Sequence, residues 1–119
     1  MEKYIRFGEL ESHYTTEEQA KELLKIGLPA NSADLYADED GVIHFINDDN
    51  LFREDFFEHY GKYNGYEPRW TDGRLIEIYG RVTHLMAPEL GTIGITEDIV
   101  AEILKKSRQG CDFSKIKEL

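Results

Sequence analysis

Hydrophobic and polar positions alternate along this chain with two periods, one of helices and one of strands. The first helix-like stretch is the clearest. Thr15 or Thr16 can cap it, with Glu18 or Gln19 three residues on, the spacing of a capping box. Ala20, Leu23, Leu24 and Gly27 recur at i, i+3, i+4 and i+7, a single narrow face. Gly27 also stands where a left-handed residue closes a helix, and Leu28 behind it can fold back on Leu23 in a Schellman ending. The spacing predicts a helix over about 16–26, preceded by a short strand at 3–7. A hairpin follows. Leu35-Tyr36-Ala37 and Val42-Ile43-His44-Phe45-Ile46 flank Asp38-Glu39-Asp40-Gly41, an acidic type I turn closed by a glycine at positive φ.

Three more helices are predicted. Asp48, Asp49 and Asn50 offer capping oxygens to one at about 51–60, where Phe52, Phe56 and Tyr60 repeat every four residues. Residues 62–69, with Asn64-Gly65 and Pro68, read as a loop or an irregular hairpin. Thr71 then caps a third helix, with Trp70 and Leu75 as its hydrophobic staple and Leu75, Tyr79, Val82 and Met86 along one face. Gly80 works against it by about 1 kcal/mol, and 74–79 alone can also be read as a strand. After a loop over 87–95, Thr96 is expected to cap a helix at 97–108, and Gly110 to stop it. Its acids Glu97 and Asp98 and its bases Lys105, Lys106 and Arg108 match the two ends of a helix dipole. The elements predict one α+β domain over 1–119, a small antiparallel sheet with the hairpin at about 35–46, packed by three or four helices. Leu23, Leu24, Phe45, Phe56, Leu75, Ile99 and Ile103 are its expected core.

Length supports this picture. A chain of 119 residues buries about two-thirds of its surface on folding, enough for one core without disulfides. No apolar run approaches the ~18 residues of a membrane span. The single cysteine rules out an internal disulfide and fits a reducing compartment, so a soluble cytoplasmic protein is expected. Charge matters by location. The net charge is −10, and residues 34–58 alone carry nine acids against one base, Arg53, whereas residues 104–119 carry five bases against two acids. That balance repels phosphates at long range and disfavours direct nucleic-acid binding.

Two blocks carry a resemblance. Thr15-Thr16-Glu17-Glu18-Gln19-Ala20-Lys21-Glu22-Leu23-Leu24-Lys25-Ile26-Gly27-Leu28-Pro29-Ala30-Asn31-Ser32-Ala33-Asp34-Leu35-Tyr36, and later Pro68-Arg69-Trp70-Thr71-Asp72-Gly73-Arg74-Leu75-Ile76-Glu77-Ile78, resemble shared stretches of small proteins encoded by phages and mobile elements of gut Bacteroidales. The resemblance implies a genomic setting and supplies no catalytic residue. The segment between the blocks is short and very acidic here, and the C-terminal third departs from the group.

Candidate chemistry is sparse. Asp55 and His59 stand at i and i+4 beside Glu54 and Glu58, with His44 nearby in sequence, but no His-x₃-His or cysteine pair completes a ligand set. Asp38-Glu39-Asp40-Gly41 and Asp48-Asp49-Asn50 lack the alternation of a calcium loop. Cys111 follows a helix C-terminus, where the dipole disfavours a thiolate. Gly91-Thr92-Ile93-Gly94 precedes Glu97 and Asp98, which occupy the place of a phosphate. No cofactor is called for and no catalytic set is identified. The unusual feature is aromatic: Phe52, Phe56, Phe57, Tyr60, Tyr63, Tyr66 and Trp70 put seven aromatics in 19 residues. Phe52, Phe56 and Trp70 read as core.

Tyr60, Tyr63 and Tyr66, beside Asp48, Asp49, Glu54 and Glu58, read as a protein-binding patch for a partner with a basic surface. The expected function is a non-enzymatic protein-binding module. The alternatives are an acidic inhibitor that mimics nucleic acid in a host protein's cleft, and a divalent-metal hydrolase around Asp55 and His59. The oligomeric state has no signature in the sequence. A native-state metal would raise stability by mass action, so a metal-free protein should show the same melting temperature with and without EDTA. One equivalent of zinc lost on His59→Ala would establish the metal centre instead.

Overall fold

The computed structural model of the chain describes residues 13–46, 57, 65–85 and 95–118. The first helix, α1, runs Glu17–Lys25. The Thr16 hydroxyl accepts from the Gln19 amide at 3.1 Å and the Gln19 side chain accepts from the Thr16 amide at 2.9 Å, which closes the capping box. Its other end is the Schellman motif: the Gly27 amide donates to Leu24 and the Leu28 amide to Leu23. Gly27 has φ 100°, a conformation that suits glycine.

Strands β1 (Leu35–Ala37) and β2 (Ile43–Phe45) form the hairpin, with Tyr36 opposite His44. Strand β3 (Glu67–Arg69) pairs antiparallel on the other side of β1, so the sheet order is β2-β1-β3. Here the expectation of a loop or an irregular hairpin at 62–69 is corrected in its last three residues, which are a strand paired with β1. The physical reason lies in the register. Asp38 donates its amide to Val42, and Ile46 donates to Asp34, so Tyr36 and His44 form the intervening hydrogen-bonded pair of the β1–β2 ladder. The backbone of Tyr36 is thus turned to β2, and that of Leu35 and Ala37 to β3. Pro68, opposite Tyr36, falls at a non-hydrogen-bonded position on an outer strand, where a missing N–H costs the ladder nothing.

Helix α2 runs Asp72–Thr83, capped by the Thr71 hydroxyl on the Arg74 amide at 3.1 Å, and so decides 74–79 in favour of helix. Helix α3 runs Ile95–Arg108. It begins two residues before the expected start, and Thr96 is a buried residue of its first turn, not its cap. Gly110, φ 106°, closes α3 as Gly27 closes α1: its amide donates to Ser107 and that of Cys111 to Lys106. Short 3₁₀ turns occupy Ala30–Ser32 and Phe113–Glu118. Among the described residues there are three α-helices and one three-stranded sheet, a small α+β arrangement. No helix among them is long and apolar enough to cross a membrane.

The core joins Ala20, Leu23 and Leu28 to Leu75, Ile78 and Tyr79 of α2, Ile99, Val100 and Ile103 of α3, and Phe113 and Ile116 of the last turn. Leu23, Leu75, Ile99 and Ile103 are buried as expected. Leu24 and Phe45 are not: they are 38% and 54% exposed. The buried stripe of α1 is narrower than its apolar stripe, and Phe45 lies on the outermost strand, beyond the packing that buries its partner Leu35. Phe56 lies outside the described residues, as do the strand at 3–7, most of the helix at 51–60, and Met86.

Trp70 is the hub of the molecule. It is fully buried, and its indole N–H donates to the Ser32 hydroxyl at 3.0 Å, which donates in turn to the Pro29 carbonyl at 2.6 Å. The buried Arg74 donates from Nε to the Ser32 carbonyl at 2.7 Å and from Nη1 to Glu77 at 2.8 Å. Asp34 accepts from both the amide and the hydroxyl of Thr71. Residues 13–15 close the third side: the Thr15 amide donates to the Trp70 carbonyl, its hydroxyl accepts the Trp70 amide, and the Asp72 amide donates to the His13 carbonyl. Because Leu23 is fully buried in the core, Leu23→Ala should cost about 2–5 kcal/mol, measured by urea unfolding. Leu24→Ala should cost well under half of that.

Candidate functional site

The hairpin builds the one described surface on which acids and aromatics meet in a fixed geometry. Asp38 organises its turn. One carboxylate oxygen accepts the amides of Asp40 and Val42, both at 2.9 Å, and the other accepts the His44 Nε2 proton at 2.8 Å. The Gly41 amide donates to the Asp38 carbonyl, and Gly41 takes φ 81°. This is the four-residue turn closed by a glycine at positive φ that the sequence predicts. Glu39 and Asp40 are left exposed at its tip.

Strand alternation then puts Tyr36 and His44 side by side on one face. Their rings stack at 4.9 Å, 17° from parallel, and Tyr66 stacks on the other side of Tyr36 at 4.4 Å. Tyr66 shares that face because it lies two residues before Pro68, the partner of Tyr36. The result is a row of three rings, each half-buried, with Asp38 locking one end. Burial raises the Tyr36 phenol above its usual range, helped by the Tyr66 hydroxyl and the Asp38 carboxylate. Asp38 moves the other way: the His44 hydrogen bond first, then the Val42 and Asp40 amides, hold its carboxyl below the usual carboxylate value.

Of the residues expected to bind a partner, Tyr66 is brought into this row, whereas Asp48, Asp49, Glu54, Glu58, Tyr60 and Tyr63 lie outside the described residues. So do Asp55 and His59, and Gly91 to Gly94. His44, weighed as a metal neighbour, is engaged with Asp38 and Tyr36. Among the described residues no three of His, Cys, Asp and Glu come together as a ligand set. Cys111 is half-buried against the core, directly behind the glycine that ends α3. Tyr36 and His44 were missed as members of an aromatic surface. What sets them directly opposite one another is the register of the hairpin, in which Asp38 pairs with Val42. Trp70 is core, as expected. Phe57 is half-buried against the core, its amide donating to the Asn31 side chain at 3.2 Å.

No family model, curated protein or solved structure matches this chain.

The Asp38 network sets a pH dependence whose sign follows from its lowered carboxyl. The ionised form is the one bonded in the folded state, so its stabilisation is complete above the unfolded value of about 3.9. It is lost as the pH falls through the lower folded value. Melting curves of the wild type and Asp38→Ala should therefore differ at about pH 5, where the carboxylate is ionised. The gap should close in the acid limb. A gap unchanged down to pH 2 would mean that the carboxylate charge is not what holds the turn.

Proposed function

We propose that this chain is a non-enzymatic protein-binding module that engages a basic partner surface through the acidic, tyrosine-bearing side of the hairpin and the 47–64 segment after it. The observation that carries the reading is the Tyr66–Tyr36–His44 row, fixed at one end by Asp38 and set beside the exposed Glu39 and Asp40. Stacked rings have already lost their side-chain freedom, so the entropy cost of binding through them is small. Carboxylates next to them act at longer range. Exposed charges reach over about one Debye length, ~8 Å in physiological salt, and govern encounter more than residence.

The wider setting belongs to the same proposal: a protein of a phage or mobile element, as the two resembling blocks imply, in the cytoplasm, which the single cysteine suits. The resemblance supports the setting and not the surface, because its blocks contribute mainly to the Trp70 network. Mimicry of nucleic acid in a host protein's cleft is the special case in which the basic partner is itself a nucleic-acid-binding protein.

The expected kinetic signature is divided between the two kinds of group. With a partner captured on the immobilised chain, neutralising Asp48, Asp49, Glu54 and Glu58 to Asn or Gln should mainly slow association and flatten its salt dependence. Tyr63→Ala or Tyr66→Ala should mainly speed dissociation. A partner that binds the neutralised variant with an unchanged association rate and salt slope would remove the acidic surface from the interface.

A further inference from the structure

We infer that the outer edge of β2 is a docking site for an extended basic segment of a partner protein, which adds to the sheet as a fourth strand antiparallel or parallel to β2. The inference rests on the reading of a basic partner and specifies how that partner is held. It begins from the ladder. Since the backbone of His44 is turned inward to Tyr36, the N–H and C=O groups of Ile43 and Phe45 are turned outward. No hydrogen bond among the described residues takes them up. The opposite edge of the sheet is unsuited to the same use, because Pro68 presents no N–H at its outward-facing position. Open edges are ordinarily blunted by charge, proline or cover. Among the described residues the β2 edge is flanked by Val42 and Phe45, 51% and 54% exposed.

The two faces of this edge differ, and the difference specifies the occupant. Phe45 and Ile43 lie on one face, while His44 and the Asp38 carboxylate lie on the other, with Glu39 and Asp40 at the tip. A strand laid along β2 meets them with period two. Apolar side chains at alternate positions rest beside Phe45, and Lys or Arg between them fall toward Asp38 and the acidic tip. This is recognition by β-addition, in which the backbone supplies affinity and alternate side chains supply selection. A second copy of this chain is a poor occupant: each copy carries −10, and pairing two such edges brings like charges together.

The test uses the full chain and three synthetic octapeptides of the same composition: alternating Lys–Val, four Lys followed by four Val, and alternating Lys–Val with every second backbone amide N-methylated. The alternating peptide should bind saturably and slow amide exchange of Ile43 and Phe45 at least tenfold. N-methylation on the pairing edge should abolish both effects, and Phe45→Ser should weaken binding several-fold with the fold intact by circular dichroism. Three peptides binding equally, in a salt-dependent way and without exchange protection, would overturn strand addition and leave the basic-partner reading standing. No binding by any of them at low salt would overturn both. A concentration-dependent dimer that protects the same two amides without peptide would give the edge to a second copy and overturn the inference.

Discussion

The buried contact between the Trp70 indole and the Ser32 hydroxyl, with Arg74 reaching the Ser32 carbonyl, is the constraint on which the remaining structure hangs. Three polar groups are taken from water here, one of them a guanidinium. Leaving any of them without its partner would cost about 1–3 kcal/mol, and more for the charged one. The arrangement succeeds because the Trp70 indole N–H, the Ser32 hydroxyl and the Arg74 Nε each meet an acceptor at fixed geometry. Ser32 can answer both because its hydroxyl accepts from Trp70 while its carbonyl accepts from Arg74, and the hydroxyl is itself held by donating to the Pro29 carbonyl. Asp34, two residues on, then fixes the start of α2 through Thr71. Thr71 in turn caps α2 with the same hydroxyl. The hairpin, the first helix and the second helix are thereby set relative to one another at a single point.

The hairpin surface inherits its geometry from that point. Asp34 is the residue before β1, and Arg69 and Trp70 end β3 and follow it. Strand β1 lies between them as the central strand. Tyr36 is therefore held from both sides, by His44 across one ladder and by Pro68 and Tyr66 across the other. Within the Trp70 network, Ser32 and Asp34 come from one stretch of the chain and Trp70, Thr71 and Arg74 from another. The acidic tip at Glu39 and Asp40 lies outside both stretches.

Much of the helical structure was legible because its signals are local. Thr16 with Gln19, Thr71 before Asp72, and Gly27 and Gly110 behind their helices each act within a few residues of where they stand. The hairpin was legible for the same reason, its turn being written in Asp38 and Gly41. What escaped is what depends on sequence-distant partners. Strand β3 is three residues long and contains a proline, and it is a strand only because β1 offers it the right phase. The exposure of Phe45 follows from strand order, a property no single segment carries. The Trp70 network joins residues of ordinary polarity with no periodicity between them. In the candidate site, Tyr66 was read from composition, but its partners Tyr36 and His44 required the register.

The network also dictates when the fold can close. Its bonds span 37, 38, 42 and 55 residues along the chain. Closing the loop of 38 residues alone costs about 3 kcal/mol of chain entropy, to be recovered only when several of these contacts form together. Capped helices and a tight turn can form within microseconds of their synthesis, but the ribosome adds only about 5–20 residues per second. Ser32 and Asp34 therefore emerge seconds before Trp70, Thr71 and Arg74 exist. Through that interval water serves as their partner, and the nine-residue α1 and the isolated hairpin are each at best marginally formed, with no fixed relation to each other. Their orientation is decided in one late step, by the arrival of residues 70–74.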